Sequence, residues 1–317
     1  MPITRPRQLA MIIPRSLRVL VAAIGAVTLG TGVAVPPALA APTVIPIAGG
    51  YTTAQDDLIT MQLTTTVDAR PAGGSSTAPL RIRYTFSPAL VAGSGPFGAG
   101  DTFASYAPVQ KITIEVGDQC VSTGGTGTYI LVLDGAGDPP IDSYAVVADA
   151  TEGAVFSGKL LGKEVGFSRI LLEDTQAGMF SDTSLPLSAG FAAASDFQQT
   201  VVLLANPPSD LPIRLITPPT GYVLTVVDPV AEIEDTRDRV VAAHLSDGLE
   251  AALLAQIAQD WLEDDIPTND HRTRSMLETF IALVNAQAGE KIPTATAVKL
   301  VAQANAAISQ LPSSNCP

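Results

Sequence analysis

The apolar residues of this chain change their spacing once, near Asp228-Pro229, and this change separates two kinds of fold. Before it, apolar residues recur at every second position in short runs, which is typical of half-buried β-strands. After it, they recur every three to four positions, which is typical of amphipathic helices. The sequence therefore predicts a β-domain over residues 42–228, a helical module over residues 229–311 and a tail of residues 312–317.

The first region predicts nine strands without helical segments between them. Such an order favours an antiparallel β-sandwich over an α/β fold. Clusters of Gly, Pro, Asp and Ser separate the strands and predict turns, at 72–79, 93–101, 124–127 and 134–140. The predicted strands are Ile59–Val67, Ile82–Phe86, Ile112–Val116, Tyr129–Leu133, Ser143–Ala148, Phe167–Glu173, Gln199–Leu204, Ile213–Thr217 and Tyr222–Val227.

The second region predicts a small module of three or four helices. Ser246 and Asn269 are suitable N-caps, Gly289 suits a helix C-terminus, and Pro293-Thr294 would begin another helix. Three apolar stripes define the expected core, namely Leu249, Leu253, Ile257 and Trp261; Leu277, Phe280, Ile281, Val284 and Ala288; and Leu300, Val301, Ala304, Ile308 and Leu311.

The first forty residues have the pattern of a secretory signal peptide. Four arginines and no acid precede the apolar run Val19–Val35, and Ala38-Leu39-Ala40 supplies small residues for a signal peptidase. We expect cleavage between Ala40 and Ala41, and therefore a secreted, extracellular protein. An uncleaved membrane anchor is the alternative, but the 17-residue run contains three glycines, and a membrane-spanning helix needs about 20 apolar residues.

Charge narrows the set of expected partners. Removal of residues 1–40 takes four of the 18 basic residues and none of the 31 acids, so 14 positive charges against 31 negative ones give the mature chain a net charge of −17. Such a charge repels phosphate backbones and anionic lipids, which argues against nucleic acid and membrane surfaces as partners. We expect no transmembrane segment in the mature chain, while metal cations and neutral glycans stay open as ligands.

The chain has two cysteines, Cys120 and Cys316, which are too few for a disulfide-rich scaffold. Outside the cytoplasm a single pair of thiols tends to become oxidised, and a bond between them would tie the tail to the β-domain. The sequence does not show whether the two Cα atoms lie within bonding reach, so two free thiols stay open as the alternative.

The stretch Leu277–Ile292, followed by Ala297–Leu311, resembles a C-terminal helical module of the FIMAH type, which occurs in secreted bacterial proteins beside varied partner domains. The resemblance rests on the Phe280-Ile281 pair, the Gly289-Glu290-Lys291 turn and the Ala-rich last helix. Many members carry a cysteine in the second helix that could bond to one at the C-terminus. Arg274 stands near that place here, so the resemblance implies Cys120 as the candidate partner of Cys316.

The region Arg81–Pro186 resembles uncharacterised β-sandwich domains of exported bacterial proteins that often end in a PEP-CTERM sorting tail. Three strings carry this resemblance, namely Asp142-Ser143-Tyr144, Leu172-Glu173-Asp174 and Phe180-Ser181-Asp182-Thr183-Ser184-Leu185-Pro186. The sorting tail itself is not found in the sequence. The resemblance implies an extracellular sandwich and contributes no catalytic residue.

Motifs for catalysis are scarce. The string Gly93–Gly98 fits a dinucleotide-binding pattern but opens no helical segment, so we interpret it as a loop. His244 and His271 lie near Asp247 and Asp270 respectively, but no nucleophile in a suitable turn accompanies either histidine, so we expect them to be surface residues.

Pairs of carboxylates, such as Glu173 with Asp174 and Glu152 with Asp149, could serve glycoside hydrolysis. Any acidic protein offers such pairs, however, and 16 aromatic residues in 317 are few for a carbohydrate cleft. We name no catalytic residue on this basis.

A calcium site is the ligand site that the sequence favours most, with Asp134 and Asp138 as its candidate residues. They lie in the Gly-rich string Asp134-Gly135-Ala136-Gly137-Asp138 between two predicted strands, and Ca²⁺ prefers oxygen ligands. Asp and Gly are also ordinary turn residues. The acidic run 263–265 is more typical of a solvated helix end.

These observations predict a non-catalytic binding protein, or a surface-associated or matrix protein, whose partner is a cell-surface or extracellular glycan or protein. A secreted hydrolase acting on polysaccharide or protein is the alternative. A third interpretation is an inert spacer that displays its helical module.

Overall fold

A computed structural model describes residues 58–93, 98–205, 211–217, 221–257, 270–312 and 316, without the side chains of residues 230, 270 and 271. The β-domain has two antiparallel six-stranded sheets. Sheet 1 has the order β12-β1-β2-β4-β5-β8 and sheet 2 the order β11-β10-β9-β7-β6-β3. The strands are β1 (Ile59–Val67), β2 (Ala78–Phe86), β3 (Phe103–Tyr106), β4 (Lys111–Val116), β5 (Gln119–Gly125), β6 (Thr128–Ala136), β7 (Ile141–Asp149), β8 (Ala154–Gly158), β9 (Val165–Asp174), β10 (Phe197–Leu204), β11 (Ile213–Ile216) and β12 (Val223–Val227).

The core of the sandwich lies between the two sheets, as the alternation of apolar residues predicts. Met61 and Leu63 of sheet 1 and Ile130 and Val132 of sheet 2 belong to one buried cluster. Successive side chains of a strand point to opposite faces, so these residues fix which face of each sheet is internal. The predicted antiparallel sandwich is confirmed.

Three buried residues form a polar string across this core. The Tyr144 hydroxyl donates to the Tyr84 hydroxyl at 3.2 Å, and the Tyr84 hydroxyl donates to Met61 Sδ at 3.0 Å. Burial raises the pKa of both tyrosines, so the two hydroxyls stay neutral and can donate.

The prediction of nine strands is wrong in number, because the described residues form twelve. Strands β3, β5 and β8 were missed, and the predicted turns 124–127 and 134–140 overlap the ends of β5 and β6. β5 has the sequence QCVSTGG, and β8 lies at the edge of sheet 1 with half-exposed or exposed side chains beyond Ala154. Neither has a clean apolar alternation, so periodicity alone could not identify it.

Glycine is required where the chain crosses from sheet 1 to sheet 2 after β5. A Cβ atom on Gly127 would lie 2.5 Å from the backbone oxygen of Asp149. The two backbones therefore approach each other more closely than any side chain allows. The Gly-rich sequence here indicates close packing of backbones, in addition to a turn.

The helical module has four helices within the described residues, with bounds α1 (Pro229–Ala242), α2 (Asp247–Gln256), α3 (Asp270–Gln287) and α4 (Thr294–Gln310). Its core is separate from that of the sandwich and contains three predicted groups of stripe residues, namely Leu253 and Ile257; Leu277, Phe280 and Val284; and Leu300, Ala304 and Leu311. Ile233 and Val240 of α1 also belong to it, as do Ile292, Ala297 and Ala307.

The predicted helix boundaries agree with these bounds. Ser246 is the N-cap residue of α2 and Pro293 that of α4, while Gly289 follows α3 with a φ of +80°. A positive φ is a conformation that favours glycine. Asn269 and Trp261 lie outside the described residues, as does the acidic run 263–265.

Residues 1–57 also lie outside the described residues, so the signal peptide and its cleavage between Ala40 and Ala41 stay predictions. Among the helices that the structure describes, none combines the length and the apolar character needed to cross a membrane.

Candidate functional site

The outer face of sheet 2, which points away from the sandwich core, is buried at its centre. Leu131, Ala145 and Leu171 are cross-strand neighbours on β6, β7 and β9. Leu131 is 4% exposed and Leu171 is 5% exposed. Outward side chains on a solvated sheet are normally polar. The apolar side chains of this face are therefore typical of a surface that packs against, or binds, another group.

A half-exposed apolar rim surrounds that centre. Its members share the outward side of β3, β6, β9 and β10 and keep part of their surface in solvent. They are Phe103, Leu133, Phe167, Phe197, Val201 and Leu203. Three aromatic rings thus lie on the accessible part of the face, where a ligand could contact them.

Two charged residues, Arg169 and Glu173, stand on either side of Leu171 along β9. Arg169 is 8% exposed; its Nη2 donates to Gln199 Oε1 at 3.3 Å, and its Nε has no hydrogen-bond partner. Burial lowers the pKa of Arg169, against the opposing effect of the Glu173 charge. A buried donor without a partner costs free energy. The Nε of Arg169 could therefore donate a hydrogen bond to an acceptor atom of a ligand.

The carboxyl group of Glu173 has a raised pKa. Burial is the main cause; the Arg169 charge opposes it, the Asp196 charge adds to it, and a hydrogen bond with Ser143 opposes it. Groups with shifted pKa values cluster at functional sites more often than elsewhere, which makes Glu173 the first residue to test on this face.

Tyr129 extends the same group of residues toward the end of β7. Burial raises the pKa of its hydroxyl, and the negative charges of Glu152 and Asp149 raise it further, while Arg169 lowers it. The outer face therefore carries a line of interacting polar groups across an apolar surface.

The carboxyl groups of Glu173 and Asp174, a pair that the sequence offered without marking it as catalytic, are not brought together. Glu173 points outward, and Asp174 is buried on the other face, where its Oδ1 accepts from the Gln176 N–H at 2.9 Å and its Oδ2 from the Gly178 N–H at 2.7 Å. Strand alternation places neighbouring residues on opposite faces. The two carboxyl groups therefore cannot act on one substrate.

The second predicted pair, Glu152 and Asp149, lies around a short 3-10 helix, Ala150–Glu152. Asp149 Oδ1 accepts from the Thr151 N–H at 2.8 Å and from its hydroxyl at 2.7 Å. Asp149 is thus occupied as an N-cap.

The three strings that carry the resemblance to exported sandwich domains meet at one end of sheet 2. Asp142 and Asp174 are cross-strand neighbours. Asp142 is fully buried, and its two oxygens accept from the Gly135 N–H at 2.7 Å and the Phe180 N–H at 2.9 Å. The Tyr106 hydroxyl donates to the Thr183 carbonyl at 2.6 Å. These residues fix two loops, a role that sequence reasoning missed.

Asp134 and Asp138 lie where the sequence placed them, at the end of β6 and in the turn after it. Asp134 is half-buried and Asp138 is exposed. Among the described residues, one group of three His, Cys, Asp or Glu side chains is close enough to share a metal ion, and it consists of Glu115, Cys120 and Cys316. The calcium site at Asp134 and Asp138 stays a prediction.

The remaining motif residues are dispersed. His244 is exposed, has a φ of +48° and follows α1, while the side chain of His271 lies outside the described residues. Residues 94–97 of the Gly93–Gly98 string also lie outside them.

A second candidate region is the junction between sheet 1 and the helical module. Cys120 and Cys316 form a disulfide with their Cα atoms 4.8 Å apart, which confirms the predicted pairing. Arg81, Glu115 and Cys120 form a cross-strand row on the outer face of sheet 1. Cys316 Sγ lies 3.9 Å from Glu115 Oε1.

Glu115 is buried at this junction between two guanidinium groups. Arg83 Nη1 lies 3.1 Å from Glu115 Oε1, and Arg81 Nη1 lies 3.4 Å from Glu115 Oε2. Arg83 also donates through Nη2 to the Ser309 carbonyl of α4 at 3.1 Å. The ion pair of sheet 1 thereby reaches the end of the last helix.

Arg274 holds the carbonyl end of α4. It donates to the carbonyls of Ile308, Leu311 and Pro312, the shortest of these bonds being 2.7 Å. The last carbonyls of a helix lack partners within the helix, so a cation here is stabilising. Arg274 thus holds the end of α4 through hydrogen bonds alone.

Gln310 connects the start of α1 with the end of α4. Its Oε1 accepts from the Asp228 N–H at 2.8 Å, and its Nε2 donates to Glu232 Oε1 at 3.0 Å. Asp228 in turn caps α1 through the Ala231 N–H at 3.0 Å.

Comparison of the chain with protein-family models, with curated proteins and with solved structures gives no match. The two resemblances stated above therefore stay predictions.

Proposed function

We propose that this chain is an extracellular, non-catalytic binding protein, associated with the cell surface or matrix, whose partner is a glycan or a protein. The observation that carries the proposal is the outer face of sheet 2. Its half-exposed rings of Phe103, Phe167 and Phe197 surround buried aliphatic side chains and the Arg169–Glu173 group. Aromatic rings beside a few polar groups are typical of surfaces that bind sugars or proteins.

The disulfide supports placement outside the cytoplasm. Cys120 and Cys316 are the whole cysteine content of the chain, and they are paired. Such bonds persist in oxidising compartments and are rare in the cytosol. The predicted signal peptide leads to the same location.

Binding is favoured over hydrolysis by the geometry of the acidic residues. Glycoside hydrolysis uses two carboxyl groups on either side of the scissile bond. Glu173 and Asp174 point to opposite faces, and Asp149 and Asp174 are occupied by backbone N–H groups. Neither pair therefore offers two free carboxyl groups that could act on one substrate.

In this proposal the helical module is an accessory unit, as its resemblance to the FIMAH type implies. Its separate core supports that role, since the two apolar clusters share no residue.

The test incubates purified protein with cell-wall and polysaccharide fractions and measures both co-sedimentation and the release of soluble products. We expect retention without products. Phe197→Ala should reduce retention, while Val298→Ala, which truncates an apolar side chain of the helical module that is 63% exposed, should leave it unchanged.

The hydrolase alternative predicts a different outcome. Steady release of products that disappears with Glu173→Gln, but continues with Glu164→Gln, would establish hydrolysis and refute the proposal. Glu164 is a suitable control because it is exposed and directly precedes β9.

A further inference from the structure

We propose that Cys316 is a thiol–disulfide exchange site, and that its reaction with a dithiol releases the helical module from sheet 1 while both domains stay folded. The proposal does not depend on the proposed function, since it concerns the junction and not the outer face of sheet 2.

The first support is that the module and the sandwich have independent cores. The sandwich core includes Tyr84 and Ile114, the helical core includes Phe280 and Leu300, and the two clusters share no residue. Apolar burial is the main contribution to the stability of each. Either domain can therefore stay folded when the connection between them weakens.

The second support is that the hydrogen bonds and ion pairs described at the junction join charged and polar groups. Arg83 donates to the Ser309 carbonyl, and Cys316 is held against Glu115 by its bond to Cys120. A single hydrogen bond contributes about 1 kcal/mol net to stability, and about 1.5–3 kcal/mol when one partner is charged. The disulfide, which spans 196 residues, adds a covalent link to these polar contacts.

The third support is that the two cysteine residues differ in exposure. Cys120 is 4% exposed, whereas Cys316 is half-buried and follows the last helix. An attacking thiolate must approach one sulfur opposite the other, so access selects which sulfur reacts. Attack occurs at Cys316, and Cys120 is the leaving group.

The reaction balances with a dithiol as the reductant. Its first thiolate attacks Cys316 Sγ, the Sγ–Sγ bond breaks, and Cys120 departs as a thiolate that then takes up a proton. The second thiol of the reductant loses its proton and displaces Cys316 from the mixed disulfide. The reductant ends as a cyclic disulfide, two electrons pass to the protein, and both cysteines become thiols.

The experiment has two readouts on the purified chain. In the first, a monothiol such as glutathione is added under native conditions, the reaction is quenched with acid, and the mixed disulfides are located by peptide mapping. We expect at least a tenfold excess of adduct on Cys316 over Cys120. Equal labelling, or an excess on Cys120, would overturn the assignment of the attacked sulfur.

In the second, hydrogen exchange is followed by mass spectrometry before and after treatment with dithiothreitol. We expect amides of β4, β5 and the end of α4 to exchange at least tenfold faster, with those of β7 and β9 unchanged. Cys316→Ser should show the faster exchange without reductant and no further change with it. Unchanged exchange after complete reduction, or faster exchange throughout both cores, would overturn the proposal.

Discussion

The two sheets differ most on the faces that point away from their shared core. The outer face of sheet 1 is polar, with Thr64 and Thr66 exposed on β1 and with the Arg83–Glu115 pair buried under the end of α4. The outer face of sheet 2 is apolar at its centre, where Leu131 and Leu171 are buried. Sheet 1 thus carries a polar junction, and sheet 2 carries a surface suited to a ligand.

This difference shows how a strand's sequence reflects both of its faces. β1 alternates between buried and accessible residues, so its pattern identifies it at once. β7 is buried on both faces after its first residue, and its apolar run carries no alternation that could tell the two faces apart. A continuous run predicts a buried strand, but it does not say what packs on each side.

Destabilisation of the helical module should affect sheet 1, whose outer face contacts α4, and leave sheet 2 unchanged. Phe280→Ala should lower the stability of the module by about 3–5 kcal/mol, because Phe280 is fully buried in its core. Chemical denaturation followed by circular dichroism measures this loss, and hydrogen exchange should show β4 and β5 losing protection while β7 keeps it. The exposed control Val298→Ala should change stability by less than about 0.5 kcal/mol. Equal loss of protection in both sheets would contradict the prediction that only sheet 1 depends on the helical module.

Truncation of matched outward residues tests the comparison directly. Leu171→Ala on sheet 2 should cost about 2–5 kcal/mol because the side chain is buried, whereas Thr64→Ala on sheet 1 should stay within about 0.5 kcal/mol because Thr64 is exposed. Urea denaturation of both variants gives the two values. If the cost of Leu171→Ala is as small as that of Thr64→Ala, the outer face of sheet 2 is not packed.

The ion pair on sheet 1 should give an intermediate effect. Arg83→Gln leaves the buried carboxylate of Glu115 with one guanidinium partner fewer, and we expect a loss of about 1–3 kcal/mol. Arg70→Gln removes an exposed pair with Asp68 and should produce no measurable change. Thermal unfolding of the two variants is the measurement. Equal shifts would mean that burial of the Glu115 pair is irrelevant.

Glu173 should give the smallest effect, and one that depends on pH. Its pKa is raised from the ordinary value of 4.5, so the folded state holds the proton more tightly than the unfolded state. The resulting stability is complete below pH 4.5 and is lost as pH rises through the raised pKa. Relative to the parent, Glu173→Gln should therefore gain stability as the pH rises from 4.5 through the raised pKa of Glu173. Melting temperatures of the parent and of Glu173→Gln, measured from pH 4 upward, test this prediction. A difference in melting temperature that does not change with pH would refute it.

Much of the architecture could be predicted because the spacing of apolar residues is regular in the strands that have one polar face. The sandwich, the change to helices at Pro229 and the three apolar stripes all follow from it. The sequence offered the pairing of Cys120 with Cys316 as one of two alternatives, because it did not show whether the two Cα atoms lie within bonding reach.

The candidate sites could not be predicted in the same way, because they depend on contacts between residues distant in sequence. Nothing local indicates that Asp142 would bind the N–H groups of Gly135 and Phe180. Arg274 likewise finds its carbonyl partners 34 to 38 residues away. Edge strands such as β8 were not predicted, because their side chains show no alternation of apolar and polar residues.

The string from Tyr144 through Tyr84 to Met61 also bears on how the sandwich would respond to force. It joins β7 of sheet 2 to β1 and β2 of sheet 1 through hydroxyl groups with no access to solvent. Sliding one sheet past the other would part those groups before water could replace them, at a cost of about 1–3 kcal/mol for each group left unsatisfied. The tyrosine pair therefore increases the resistance of the sandwich to shear, in which the two sheets are displaced along their strands.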